Sequence, residues 1–196
     1  LPNTNPAESI DAIFDGFTLQ NGYTNGSNSK SGGLITYSIN SIIKNCIIKN
    51  NDGHQGGGVY LEGGLLFNCK IINNRGEFEG GGIFIHDNGN WGNYRPLFKN
   101  CLIADNYAPN GAGIYGGPMD LLNSTLVYNF GGSAISNNRS SLINNSIIYG
   151  NQDTNQISGE ATIQYSLIQE INSVSLDTSP GVIDVDPQFI IPFNND

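Results

Sequence analysis

The chain has 196 residues, and its 26 glycines and 29 asparagines put more than a quarter of it into two residue types that mark turns and disfavour helices. Its 17 acidic and 8 basic side chains give a net charge of −9, which excludes a basic nucleic-acid binder because neutralising phosphates takes clustered lysine or arginine. No apolar stretch approaches the ~20 residues needed to span a bilayer, while 38% apolar content argues against disorder and leaves a β-domain with many turns.

In chain order, residues 1–13 read as a lead-in. A first repeat opens at Phe14 with Asp15-Gly16-Phe17-Thr18, followed by a loop over 20–31 rich in Asn, Gly and Ser. Five segments then align: Asn45-Cys46-Ile47-Ile48-Lys49-Asn50-Asn51, Asn68-Cys69-Lys70-Ile71-Ile72-Asn73-Asn74, Asn100-Cys101-Leu102-Ile103-Ala104-Asp105-Asn106, Asn123-Ser124-Thr125-Leu126-Val127-Tyr128-Asn129 and Asn145-Ser146-Ile147-Ile148-Tyr149-Gly150-Asn151. Weaker copies begin at Gly16 and Tyr165. A recurring step near 22 residues with some longer steps describes one structural coil with loops inserted into certain turns.

The aligned columns supply the mechanism. Two places after the second residue of each copy, Phe17 and then always Cys or Ser, stand Leu19, Ile48, Ile71, Ile103, Leu126, Ile148 and Ile168; three places before it stand Phe14, Ile43, Leu66, Phe98, Leu121, Ile143 and Ile163. Positions two apart on a strand share a face, so the small residue and the following aliphatic both point inward. A second block, Gly57-Gly58-Val59-Tyr60, Gly81-Gly82-Ile83-Phe84 and Ala112-Gly113-Ile114-Tyr115, reads as a tight corner feeding another short strand. The pattern predicts an all-β chain: a parallel β-helix of about seven coils over 14–171, three short strands per coil, followed by a tail over 172–196. Asn51, Asn74, Asn106, Asn129 and Asn151 fall at one corner and form a predicted structural ladder of stacked amides; Asn45, Asn68, Asn100, Asn123 and Asn145 fall at another. The three cysteines share the inward column and read as free buried thiols, since side chains stacked in parallel have a poor disulfide dihedral.

The Gly-Gly-x-aliphatic blocks and Asn-Cys-x-Ile segments resemble right-handed parallel β-helix repeats of the pectin-lyase-like superfamily. They are especially similar to repeats of large bacterial surface proteins, including chlamydial polymorphic outer-membrane proteins. The tail Gly181-Val182-Ile183-Asp184-Val185-Asp186-Pro187-Gln188-Phe189 resembles the Asp-Pro-x-Phe segment that often follows such helices in secreted bacterial proteins. The resemblance implies a cover over the last coil, an extracellular or bacterial cell-surface location, and a domain belonging to a longer chain.

That superfamily contains polysaccharide lyases and hydrolases, so catalysis must be sought residue by residue. A lyase needs a strong base beside a cation; Lys44 and Lys99 hold equivalent positions but read as solvated outward residues. The paired-aspartate, Gly-His-Gly and Arg-x-Lys signatures of related hydrolases are absent, and His54 in Asp-Gly-His-Gln-Gly does not match. Glu77 and Glu79 point the same way on an extended segment, but read as an acidic loop. Asp184 and Asp186 are weak calcium candidates, because calcium takes several oxygens and a hydrogen-bonded tail accounts for the pair. No other cofactor is expected.

The insertion over 86–96 is the main irregularity. Its His86, Asp87, Trp91, Tyr94 and Arg95 are the ligand-binding candidates, since long loops on rigid scaffolds carry function and Trp with Tyr offers flat faces to sugar rings. The competing reading is a loop folded over the helix side. The expectation is thus a non-catalytic secreted or surface module, structural or adhesive, that displays loops to a glycan or a host or cell-surface protein. The alternative is a polysaccharide-cleaving enzyme or a fragment of one.

Overall fold

A computed structural model describes residues 12–26, 29–87, 95–153, 155–171, 176–178 and 181–189. The chain winds as a parallel β-solenoid. One full coil runs through the strands Leu65–Phe67, Lys70–Ile72, Arg75–Glu79 and Ile83–Ile85, each pairing in parallel with its equivalents in the coils on either side. Stacking generates sheets of eight, seven and six strands, here the first, second and third sheets. They carry the strands expected from the repeat. A fourth, four-stranded sheet is added by Asp52–Gln55, Arg75–Glu79, Tyr107–Ala108 and Phe130–Gly131, in the stretch the sequence pattern left as a loop.

Interior packing follows the columns. Ile43, Leu66, Phe98, Leu121, Ile143 and Ile163 are register partners along the first sheet, and Ile48, Ile71, Ile103, Leu126, Ile148 and Ile168 along the second. All are at most 1% exposed. Burying such a side chain is worth roughly 1.5–3 kcal/mol, and each is covered only because neighbouring coils lie above and below it. In the first coil Phe14 and Leu19 are only partly buried, and Phe17 is exposed.

The small column has two chemistries. Cys46, Cys69 and Cys101 are free and buried, and their thiols donate to the carbonyls of Lys44, Phe67 and Lys99. Burial pushes the Cys46 thiol up, and the neighbouring Cys69 thiol together with burial pushes Cys101 up. Ser124, Ser146 and Ser166 instead accept the backbone N–H of the preceding coil, from Cys101, Ser124 and Ser146, at 3.1–3.2 Å.

The asparagine columns separate into three. Asn45, Asn68, Asn100, Asn123 and Asn145 occupy the left-handed region, with φ of 48–55°, and turn the chain from the first sheet into the second. Asn50 and Asn73 do the same at the next corner, with Asp105 and Tyr128 at the equivalent positions. Asn51, Asn74, Asn106, Asn129 and Asn151 follow them and point inward. Each Nδ2 of Asn51, Asn74, Asn106 and Asn129 donates to the Oδ1 of the next coil's asparagine at 2.9–3.0 Å, and that oxygen also accepts the backbone N–H of the asparagine before it. The Asn151 amide ends the run on Gln156 Oε1.

At the far end Leu176–Thr178 adds the eighth strand of the first sheet, and Ile183 bridges Leu167 of the second. The tail therefore continues the winding in outline while it covers the last coil. Its Phe189 packs edge-on against Tyr128 and Tyr149.

Candidate binding groove

Residues that directly follow the ladder asparagines face outward on the fourth sheet. Asp52, Arg75, Tyr107 and Phe130 are register partners there, one per coil, and Tyr23 bridges to Asp52 at the start of the line. Beside them runs the left-handed corner of Asn50, Asn73 and Asp105. Corner and sheet enclose an open groove of about 350 Å³ lined by Asn73, Asn74, Arg75, Asp105, Tyr107 and Phe130.

The groove combines flat apolar faces with few polar groups. The rings of Tyr107 and Phe130 lie 5.3 Å apart, tilted by 48°. Arg75 sits over Tyr107 at 5.7 Å and is neutralised by Asp52 at 3.2 Å. Asn73 is exposed and donates through its Nδ2 to Asn50 Oδ1. Asp105 stands where the two preceding coils have asparagine. Loss of water against the groove wall pushes its carboxyl above the usual range.

This substitution has a consequence for stability. The folded chain holds the Asp105 proton more firmly than the unfolded chain, whose carboxyl keeps a pKa of ~3.9. Stability therefore falls as pH rises from that value through the folded-state pKa. An Asp105→Asn variant escapes the loss and keeps a residue suited to the left-handed corner. It should melt above the wild type near neutral pH, with the gap closing below about pH 3. Thermal scans of both proteins across that range test the sign.

The insertion residues predicted from sequence have other surroundings. Trp91 and Tyr94 lie outside the described residues. His86 stacks on Tyr60 at 5.7 Å, at the end of a buried aromatic column in which Tyr60 and Phe84 are 5.1 Å apart and Phe84 and Tyr115 5.6 Å. Asp87 pairs with Arg139 at 2.9 Å. Arg95 pairs with Asp120 at 2.7 Å and donates to the carbonyls of Met119 and Ser140. These contacts fasten both roots of the insertion to later coils. Arg95→Ala should accordingly lower stability by about 1–2 kcal/mol in a urea titration.

The remaining candidates are each engaged. Glu77 meets His54 at 3.2 Å, and Glu79 accepts from Gln55 at 2.8 Å. Asp184 accepts the N–H of Glu170, and Asp186 that of Gln188. Among the described residues no group of three or more His, Cys, Asp or Glu side chains comes together to hold a metal ion. A second groove, about 640 Å³, lies at the corner between the first and second sheets, lined by Lys99, Leu122, Asn123, Asn144, Asn145 and Tyr165. It has one aromatic ring, and its Asn123 and Asn145 amides bond to each other.

The first groove was missed in the sequence, yet it left two signals there. Asp105 breaks a run of aligned asparagines, and Tyr107 and Phe130 each follow a ladder asparagine at the same offset as Asp52 and Arg75. Only knowledge that this offset faces outward on a strand converts the offset into a surface.

A coil of parallel strands with an interior asparagine ladder defines a parallel β-helix. Residues 8–152 match the family described as right handed beta helix region, and the chain belongs to that family. No curated protein matches it, and no solved structure does.

Proposed function

We propose that the protein is a non-catalytic binding module of the extracellular space or a bacterial cell surface, and that its groove on the fourth sheet takes a saccharide. The observation that carries this reading is the pairing of two ring faces, Tyr107 and Phe130, with the polar groups of Asn73 and Asp105 on a rigid sheet. Aromatic faces stack on the apolar side of a sugar ring, while a carboxylate and an amide oxygen accept its hydroxyl donors. The resemblance of its repeats to those of pectin-lyase-like and bacterial surface proteins supports the location. Among the described residues that line the groove, Asp105 is the one carboxylate. Glycoside hydrolysis uses a pair flanking the scissile bond, so a binding role fits better than cleavage.

Screening on an array of neutral, acidic and amino-bearing oligosaccharides tests the proposal. The Tyr107→Ala, Phe130→Ala double variant should lose about tenfold or more in affinity for the wild-type hits. Unchanged binding by the double variant contradicts the groove, and release of new sugar ends from any hit contradicts the non-catalytic reading.

A further inference from the structure

Charge in the groove is unbalanced in one direction. Arg75 has its counter-ion in Asp52, whereas Asp105 makes no ion pair and no side-chain hydrogen bond among the described residues. The ring faces of Tyr107 and Phe130 present the negative side of their quadrupoles. Cations already take up such faces in this protein. Lys30 lies 4.5 Å over Tyr37 and 4.3 Å over Tyr60, and Arg75 approaches Tyr107. Around the groove, the net charge of −9 attracts cations and repels acidic polymers over long range.

Asp105 is also a local departure that works against the fold. The equivalent positions Asn50 and Asn73 bond to one another through their amides, and Asp105 replaces that neutral group with a partly desolvated carboxylate. Departures of this kind concentrate where binding demands them. A cation placed against Asp105 relieves the unfavourable charge.

On the saccharide reading above, we infer that the groove selects an amino sugar with a free ammonium group: the ammonium pairs with Asp105, and the ring stacks on Tyr107 and Phe130. Asn73 accepts a hydroxyl from the same unit. Neutral and acetylated sugars lack the ion pair, and uronates meet like charge.

The test measures binding of a glucosamine tetramer and its fully N-acetylated counterpart to the wild type and to Asp105→Asn by calorimetry. The wild type should prefer the amine at least tenfold, with the preference shrinking as salt is raised. Asp105→Asn should bind the two tetramers equally, a result that misfolding, which abolishes both, would not give. Equal binding of both tetramers by the wild type overturns the ammonium inference and leaves the saccharide groove standing. Binding of neither tetramer, with hits to other sugars that the Tyr107→Ala, Phe130→Ala variant loses, has the same effect; no sugar hits at all overturn both. A lysine tetrapeptide that displaces the glucosamine tetramer at equal concentration overturns the sugar part and points to a basic protein partner.

Discussion

Asn106→Ala is expected to be among the most damaging single changes in the protein, lowering stability by about 4 kcal/mol in urea unfolding. Asn106 is 0% exposed and sits in the middle of the ladder. Its Oδ1 accepts two donors of Asn74, the backbone N–H and Nδ2, both at 3.0 Å. Its Nδ2 donates to Ile71 O at 2.9 Å and Asn129 Oδ1 at 3.0 Å. Truncation leaves these partners buried without water to replace the amide, and each unsatisfied group costs roughly 1–3 kcal/mol. The control is Asn68→Gly. Asn68 occupies the left-handed corner with φ of 53°, and its amide bond to Asn45 lies on the surface. Glycine adopts that conformation freely, so the change should stay within about 1 kcal/mol of wild type. Equal loss in the two variants would mean that the ladder is no more important than the exposed corner column.

Gly82→Ala should come next, at about 3 kcal/mol. A Cβ there would lie 2.7 Å from the carbonyl oxygen of Gly113 and 3.1 Å from Asn106 Nδ2. The neighbours are backbone and a fully bonded amide, so neither gives way cheaply. The same geometry recurs at Gly33, Gly58 and Gly113, whose Cβ atoms would meet the Nδ2 of Asn51, Asn74 and Asn129 at 2.9, 3.0 and 3.3 Å. Glycine and asparagine, the two residues that dominate the composition, are thus two halves of one packing device: the glycine makes room for the amide stack. Chemical denaturation of Gly82→Ala with Asn106 intact measures the effect. A loss under about 0.5 kcal/mol would show that the coils separate enough to admit a methyl group.

The aliphatic columns made the solenoid readable, because burial at a fixed offset repeated coil after coil leaves little freedom in register. Ile48, Ile71 and Ile103 had to point inward, and they do. The corner blocks were less legible. The Gly-Gly blocks read as tight corners, and in Gly80-Gly81-Gly82 only Gly80 has positive φ, at 62°, while the other two are glycine because backbone comes close. The fourth sheet was hidden because its strands are as short as two residues and carry no apolar alternation; in Arg75–Glu79 only Gly76 is buried. The groove was hidden for the same reason. Its residues, Asn73, Arg75, Asp105, Tyr107 and Phe130, differ from coil to coil, so no column marks them. Trp91 drew attention through the insertion that holds it and its flat ring, whereas Asp87 and Arg95 on either side of it hold the loop roots to the neighbouring coils.

In the proposed function, this β-helix binds its ligand across the fourth sheet. Mapping amide chemical-shift changes during titration with the glucosamine tetramer tests it most directly. Binding in the groove gives changes that saturate and cluster at residues 73–75, 105–107 and Phe130. Changes centred instead on the second groove around Lys99 and Tyr165, or on the aromatic column of Tyr60 and Phe84, would contradict it.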